Sequence, residues 1–348
     1  MRGWIVWVGF LAMVGCSVHS GSPDIKWALV LHGGAGTIER SLMTKEREAE
    51  YRAALSAALE TGAKVLQDGG TALDAVEATI RLMEDDPHFN AGRGAVFTAA
   101  GRNELDSSIM DGATLNAGAV AGITRVRHPI TAARAVMEKS SHVMLSGEGA
   151  EAFAMEQGLE IVDPSFFFTE RRWQELETTL KERGSPIPAR PPGAPKPQGS
   201  IPVEHSEQKW GTVGVAALDS RGNLAAGTST GGTTGKRWGR VGDSPIIGAG
   251  TYASNQSCAV SSTGTGEFFI RLTVAREICA LVQYENFSVQ RAADEVIQKR
   301  LTALKGSGGV IVLSPAGDMT WSFNTPGMYR ARISSNMPAT ISIFKDEP

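Results

Sequence analysis

The chain has 348 residues, 42% of them hydrophobic and 20% charged, with a formal net charge of −3. That is enough apolar sequence for a sizeable core, and 34 basic against 37 acidic residues exclude the broad positive field of a nucleic-acid binder. The composition is that of an enzyme-sized globular body with no nucleic-acid partner.

Arg2 precedes an apolar stretch, residues 4–14, which ends in Gly15-Cys16-Ser17. This is the layout of an export signal, too short for a stable membrane span. Met13-Val14-Gly15-Cys16 is similar to a bacterial lipobox, which would make Cys16 a lipidated mature N-terminus and a lipid anchor; plain cleavage near residues 17–22 is the alternative. Residues 1–15 are therefore expected to be a signal peptide, and the protein to be exported to the periplasm or cell envelope. Of the three cysteines, Cys258 and Cys279 remain in the mature chain, in apolar surroundings where a free cysteine usually behaves as a small buried hydrophobe; the sequence leaves a disulfide between them open.

Residues 27–32 (WALVLH) read as a buried strand stopped by Gly33-Gly34-Ala35-Gly36. Helical patterns follow at 44–67 and 72–84, then a compact loop at 85–94 (DDPHFNAGRG). Residues 114–124 are strand-like, and 130–139 and 148–157 helical. From about 181 to 209 the chain is rich in proline with almost no apolar periodicity, and is expected to be extended or disordered. Strands are then predicted at 212–219, 224–230 and 257–262, helices at 267–284 and 288–304, and a terminal hairpin of 309–314 with 319–323. This order suits a layered α/β body interrupted by one surface linker.

The chemistry concentrates after the linker. Gly227-Thr228-Ser229-Thr230-Gly231 matches the nucleophile-elbow pattern G-x-S-x-G, whose histidine should follow the serine. The six histidines are His19, His32, His88, His128, His142 and His205, and none does. Gly235-Lys236 is followed by Arg237, which breaks the phosphate-loop pattern, and HExxH and CxxC are missing from the sequence. Thr212, in contrast, stands where the linker meets a strand. A cut before it would create one residue with a hydroxyl nucleophile and an α-amine of pKa about 7.7–8.0, suited to act as base near neutral pH.

Motifs in order along residues 27–330 (LHGGAGTI, FNAGRGAVFT, LDSSIMDG, GTVG, TSTGG, GRVGDSP, GAGTYA, STGTGE, GSGG and FNTPGMYR) resemble those of the isoaspartyl peptidase/plant-type L-asparaginase family of N-terminal nucleophile hydrolases. The resemblance implies an α/β fold, a four-layer αββα sandwich. It implies self-cleavage between Gly211 and Thr212 into an α chain, 16–211, ending in the linker, and a β chain, 212–348, which together make one hydrolase domain. By position, Thr212 would be the nucleophile, with Thr230 orienting it, and Asn90 would lie near the centre. The Thr263 hydroxyl and Gly264 N–H would form the oxyanion hole, and Arg240 and Asp243, with Gly266, would take the α-carboxylate and α-ammonium of an aspartyl unit. The substrates implied are small molecules, L-Asn and β-aspartyl peptides.

The resemblance further implies no catalytic cofactor, a dimer of αβ heterodimers, and a structural sodium ion at main-chain carbonyls of the 83–93 loop, at Met83, Glu84, Asp86, Phe89, Ala91 and Arg93. Two other functions stay open on sequence alone: a glycosylasparaginase, and a binding protein on a hydrolase fold that has lost turnover. His32 is read as a packed, hydrogen-bonded core residue.

Overall fold

A computed structural model describes residues 25–195 and 209–348. The expected signal segment with Cys16, and the part of the linker from 196 to 208, lie outside the described residues.

Two sheets lie face to face. The larger has nine strands: β1 (Ala28–Gly36), β2 (Leu105–Asp111), β3 (Ala117–Ile123), β4 (Met144–Ser146), β5 (Lys209–Trp210), β6 (Val213–Leu218), β7 (Leu224–Thr230), β12 (Gly327–Ser334) and β13 (Met337–Phe344). Its order is β13-β12-β1-β6-β7-β2-β3-β4, with β5 pairing β1. The smaller runs β11 (Met319–Phe323), β10 (Gly308–Leu313), β9 (Ala259–Gly264) and β8 (Thr251–Ala253). Helices α1 (Lys45–Gln67), α2 (Ala72–Asp85), α3 (Pro129–Lys139) and α4 (Gly147–Glu156) cover the outer face of the large sheet. The small sheet is covered by α6 (Gly266–Leu272), α7 (Val274–Glu285) and α8 (Val289–Asp294), the last continuing as a π-helical stretch, Glu295–Leu301.

The period of two along a strand sends alternate side chains into different cores, which is why these strands read as continuous apolar runs. In β1, Leu29 and Leu31 join the helix-facing core, while Ala28 and Val30 join the core between the sheets. In β6, Val213, Val215 and Ala217 face the helices, whereas Ala216 and Leu218 face the second sheet. On the other side, Val310 and Val312 of β10 face α6–α8, and Ile311 and Leu313 meet the large sheet. The result is the expected four-layer αββα sandwich.

Four features depart from the sequence reading. β2 and the pair β12–β13 are strands that alternation did not reveal. The helix expected over 267–284 breaks at Thr273, which adopts φ 47°. Helix α5 (Glu170–Glu182) also emerges; the proline-rich residues that follow it, as far as 195, form neither helix nor strand but are anchored, with Arg190 holding both carboxylate oxygens of Glu170 at 2.7 Å. Cys258 and Cys279 form a disulfide between the start of β9 and α7, rather than remaining two free thiols.

Candidate functional site

Gly211 and Thr212 lie between β5 and β6, at the edge of the inter-sheet layer. The Asn90 N–H donates to the Gly211 carbonyl oxygen at 3.0 Å. A Cβ at Gly211 would come within 2.8 Å of the Asn90 Cβ, so this close approach requires glycine. Asn90 clamps the region: its Nδ2 donates to the Gly232 carbonyl (2.8 Å), its Oδ1 accepts from the Val96 N–H (2.9 Å), and its carbonyl accepts from the Gly231 N–H (3.0 Å). The side chain thus ties the turn after β7 to the segment at Val96, while the backbone N–H of the same residue holds the loop that precedes β6.

Thr212 is 7% exposed, and its Oγ1 lies 2.9 Å from Thr230 Oγ1. Thr230 Oγ1 also accepts from the Gly232 N–H at 3.0 Å, which fixes its lone pairs. The two threonines that the motifs single out are therefore in direct contact beside the Gly211 carbonyl. Thr263 and Gly264 end β9; Gly264 leaves no room for a side chain, since a Cβ would lie 2.6 Å from Phe269 Cε2.

Arg240, Asp243 and Gly266 also come together. A Cβ on Gly266 would sit 2.8 Å from Asp243 Oδ1 and 2.9 Å from Arg240 Nη2, and one on Gly232 would sit 3.2 Å from Arg240 Nη1. The guanidinium thus borders the TSTGG loop, and the Asp243 carboxylate faces the turn after β9. Asp243 is buried with Oδ2 lacking a hydrogen-bond partner. Burial pushes its carboxyl up to about 7 despite the nearby Arg240. A buried, half-satisfied carboxylate of this kind is completed by a cation. The Arg240 fork is already occupied, with Nε 2.9 Å and Nη2 3.2 Å from the Glu267 carboxylate oxygens.

Sequence reasoning missed a second charged pair. Lys236 Nζ lies 3.7 Å from Asp106 Oδ2, both side chains almost wholly buried, and donates to the Glu104 carbonyl at 2.9 Å. A Cβ on Gly232 would also lie 3.2 Å from Lys236 Nζ, so this ammonium and Arg240 flank one glycine. The only signal in the sequence is a lysine four residues before Arg240, and charge alone reads there as a solvated loop.

In the 83–93 loop, glycines at 92 and 94 let main-chain oxygens of Glu84, Pro87 and Phe89 crowd inward, and the Ala91 carbonyl accepts from the Gly94 N–H. Met83 is buried in the helix-facing core. The acidic and basic side chains turn elsewhere: Asp86 Oδ1 accepts from the His88 N–H, Glu84 Oε1 accepts from Ser229 Oγ (2.6 Å), and Arg93 lies over Phe166. No group of three or more His, Cys, Asp or Glu side chains able to hold a metal occurs among the described residues.

The family model described as Asparaginase matches residues 25–343. The isoaspartyl peptidase of Escherichia coli (strain K12) is 49% identical over 328 residues, covering 92% of this chain and 97% of the relative. That of Salmonella typhimurium is 47% identical over 327 residues, covering 92% and 99%. The isoaspartyl peptidase/L-asparaginase of Mus musculus is 40% identical over 314 residues, covering 90% of each. These findings correct the expected address: the homologues in bacteria and eukaryotes are mostly cytosolic enzymes, so export to the periplasm, and with it the lipid anchor at Cys16, is withdrawn. No helix among the described residues is long and apolar enough to cross a membrane. With the family model spanning nearly the whole chain and bacterial relatives close to half identical along it, the chain belongs to the asparaginase family.

Proposed function

We propose that the chain is a self-activating threonine hydrolase of β-aspartyl dipeptides and L-asparagine. In the first event the Thr212 hydroxyl attacks the Gly211 carbonyl carbon, and the developing oxyanion is stabilised by the Asn90 N–H that already points at that oxygen. The peptide becomes an ester, and water opens it to leave a chain that ends at Gly211 and a chain 212–348, together one domain. The freed α-amine of Thr212 then serves as base for its own hydroxyl, with Thr230 as the hydrogen-bond partner that orients it.

In turnover, Arg240 takes the substrate α-carboxylate, while Asp243 and the Gly266 carbonyl take the α-ammonium. This leaves the side-chain carbonyl as the acyl group presented to Thr212. Attack forms a tetrahedral centre whose oxyanion is received by the Thr263 hydroxyl and Gly264 N–H. The amine returns its proton to the departing ammonia or amino acid, and water then releases aspartate from the acyl-enzyme. Nucleophile, base and oxyanion donors all come from the chain, so no catalytic cofactor is needed.

Around this centre we assign a sodium ion held by the inward carbonyls of Glu84, Phe89 and their neighbours in the 83–93 loop, with a purely structural role. The assembly is a dimer of αβ heterodimers.

The observation that carries the reading is the Thr212–Thr230 contact beside a carbonyl that accepts an N–H from Asn90. Two measurements test it. Denaturing electrophoresis with N-terminal sequencing should find a fragment beginning at Thr212, and Thr212→Ala should remain one chain and release neither ammonia nor leucine from substrate. On matched dipeptides, β-Asp-Leu is cleaved and α-Asp-Leu is essentially inert, because the α-linked peptide offers Arg240 a neutral amide. That loses a charge-assisted contact of about 1.5–3 kcal/mol, or roughly one to two powers of ten in rate. Comparable rates on the two peptides would overturn the recognition scheme.

A further inference from the structure

The inter-sheet layer is apolar through Ala28, Val30, Ala216, Ala226, Ala253, Ala259 and Ile311, and then changes character. The next residues on the same strand faces are His32 of β1, Thr228 of β7, Ser261 of β9, Thr251 of β8 and Ser108 of β2, each 0% exposed. They form one continuous chain. His32 Nδ1 is 3.0 Å from the Thr212 carbonyl oxygen, and Nε2 is 3.0 Å from Ser261 Oγ. Ser261 Oγ is 2.7 Å from Thr228 Oγ1, which is 2.5 Å from Thr251 Oγ1. Ser108 Oγ lies 2.8 Å from Thr251 Oγ1 and donates to the Ser244 carbonyl at 2.6 Å.

The two ends matter. One is the carbonyl of the nucleophile; the other is the carbonyl of the residue directly after Asp243. Both are acceptors, so His32 carries its proton on Nδ1, donates it to Thr212, and receives the Ser261 hydroxyl on Nε2. Burial holds His32 neutral, with its pKa lowered to about 3, which is the form this pattern requires. Gly214 supplies a second observation. A Cβ there would run into Ser261 Oγ and His32 Nε2, so the fourth position of the GTVG motif is glycine because the chain passes directly over it.

We propose that His32, Ser261, Thr228, Thr251 and Ser108 are positioning residues that hold the nucleophile strand in register with the loop carrying Asp243. A polar chain across five strands sets the separation between the hydroxyl that attacks and the carboxylate that receives the substrate ammonium. In a close-packed layer it does so more sharply than apolar contacts, because hydrogen bonds are directional and buried donors must find partners. Reacting groups misplaced by about 1 Å lose roughly a hundredfold in rate, so loosening this register is expected to reach both turnover and binding.

This inference rests on the reading of Thr212 as nucleophile and Asp243 as ammonium site, and its test separates the two. Thr228→Val keeps volume and strand preference while removing the central hydroxyl, and Ser261→Ala cuts the adjacent link; neither residue contacts substrate in the scheme above. In the self-cleaved protein, each variant is expected to lower kcat for β-Asp-Leu about 5- to 20-fold and to raise KM together with it. The double variant should be no more than twofold worse than the poorer single one, since a cut chain cannot be cut again. For a variant that cleaves slowly, the rate at which the Thr212 fragment appears is judged by the same criterion, because maturation uses the same hydroxyl. His32→Asn, whose Nδ2–H replaces the Nδ1 donor to Thr212, should recover more kcat than His32→Leu. A packing role alone would lower the melting temperature and leave kcat and KM of the folded, cleaved protein within twofold of wild type. That result, or effects that multiply in the double variant, overturns the proposal. Wild-type protein inactive on β-Asp-Leu would instead overturn the functional reading.

Discussion

The layer between the two sheets ends in two different ways, although the same strands build both ends. Toward one end, Val30, Ala216, Leu218, Ala226, Ile311 and Leu313 interlock as an apolar core. Toward the other, the same faces of β1, β7 and β9 present His32, Thr228 and Ser261, and beyond them stand Thr212 and Thr230. Burial is equally complete at both ends, so exposure does not distinguish them. The apolar end contributes stability through area removed from water and tolerates any filling of the right volume. The hydroxyl-lined end gains little net free energy per hydrogen bond but fixes geometry. Under the proposed mechanism the nucleophile, the oxyanion hole and the loop that carries the charge clamp come from separate elements, which gives a reason to place directional contacts where those elements converge.

Ile311→Ala breaks the apolar end and should give the largest effect on stability. The side chain is fully buried in the inter-sheet core. Its truncation should cost about 2–5 kcal/mol through lost transfer energy and the cavity left behind. Urea unfolding of the uncleaved Thr212→Ala background measures this on a single chain. The contrast predicts that kcat of the folded, cleaved Ile311→Ala enzyme stays within twofold of the parent. A large fall in kcat would show that the two ends are not separable.

The second test uses protons at the polar end. Asp243, raised to about 7, holds a proton more tightly in the folded protein than in the unfolded chain. Its contribution to stability is therefore present at low pH and is lost as pH rises through the window from about 4 to 7. Ligand binding has the opposite sign, because only the ionised carboxylate attracts an ammonium. The inhibition constant of L-aspartate should fall by about tenfold per pH unit below 7 and level off above it. Asp243→Asn should bind weakly with no such slope. A slope that persists in the variant would assign the titration to another group.

Much of this site was legible in the sequence because it lies in short motifs whose glycines have direct physical causes. Gly211 admits Asn90, Gly214 admits the His32–Ser261 contact, and Gly266 admits Arg240 and Asp243. The strands of the central layer were legible through their continuous apolar runs. What escaped has physical reasons too. β2 reads LDSSIMD, and its serines hide a buried strand because their hydroxyls are satisfied internally, Ser107 by the Thr228 carbonyl of the neighbouring strand and Ser108 by the Ser244 carbonyl. β12 carries Arg330, 0% exposed, whose guanidinium donates to carbonyls of Met328 and Phe344 and lies near the Trp321 and Phe323 rings. A buried charged residue interrupts the apolar run by which a strand of this kind is read. The Cys258–Cys279 bond joins positions whose proximity exists only once α7 lies on β9. Likewise the Lys236–Asp106 pair and the Glu267 hold on Arg240 span long sequence separations, and no local pattern announces them.

That hold supplies the smallest and sharpest prediction. Glu267 grips both Nε and Nη2 of Arg240, yet its own side chain is 56% exposed, so the pair belongs to the class worth about 0–1 kcal/mol. Two effects compete when Glu267→Gln removes the charge. Losing the partner frees the guanidinium to wander, which weakens substrate binding; losing the negative charge strengthens the field felt by the substrate carboxylate, which improves it. The walls decide between them. Gly232, Gly242 and Gly266 all lie against the guanidinium nitrogens, so Arg240 stays placed without Glu267, and the charge effect wins. KM for L-Asn should therefore fall about two- to threefold at unchanged kcat, with the gain fading as salt screens the field. A rise in KM of threefold or more would mean that Glu267, rather than the glycine walls, keeps Arg240 in place.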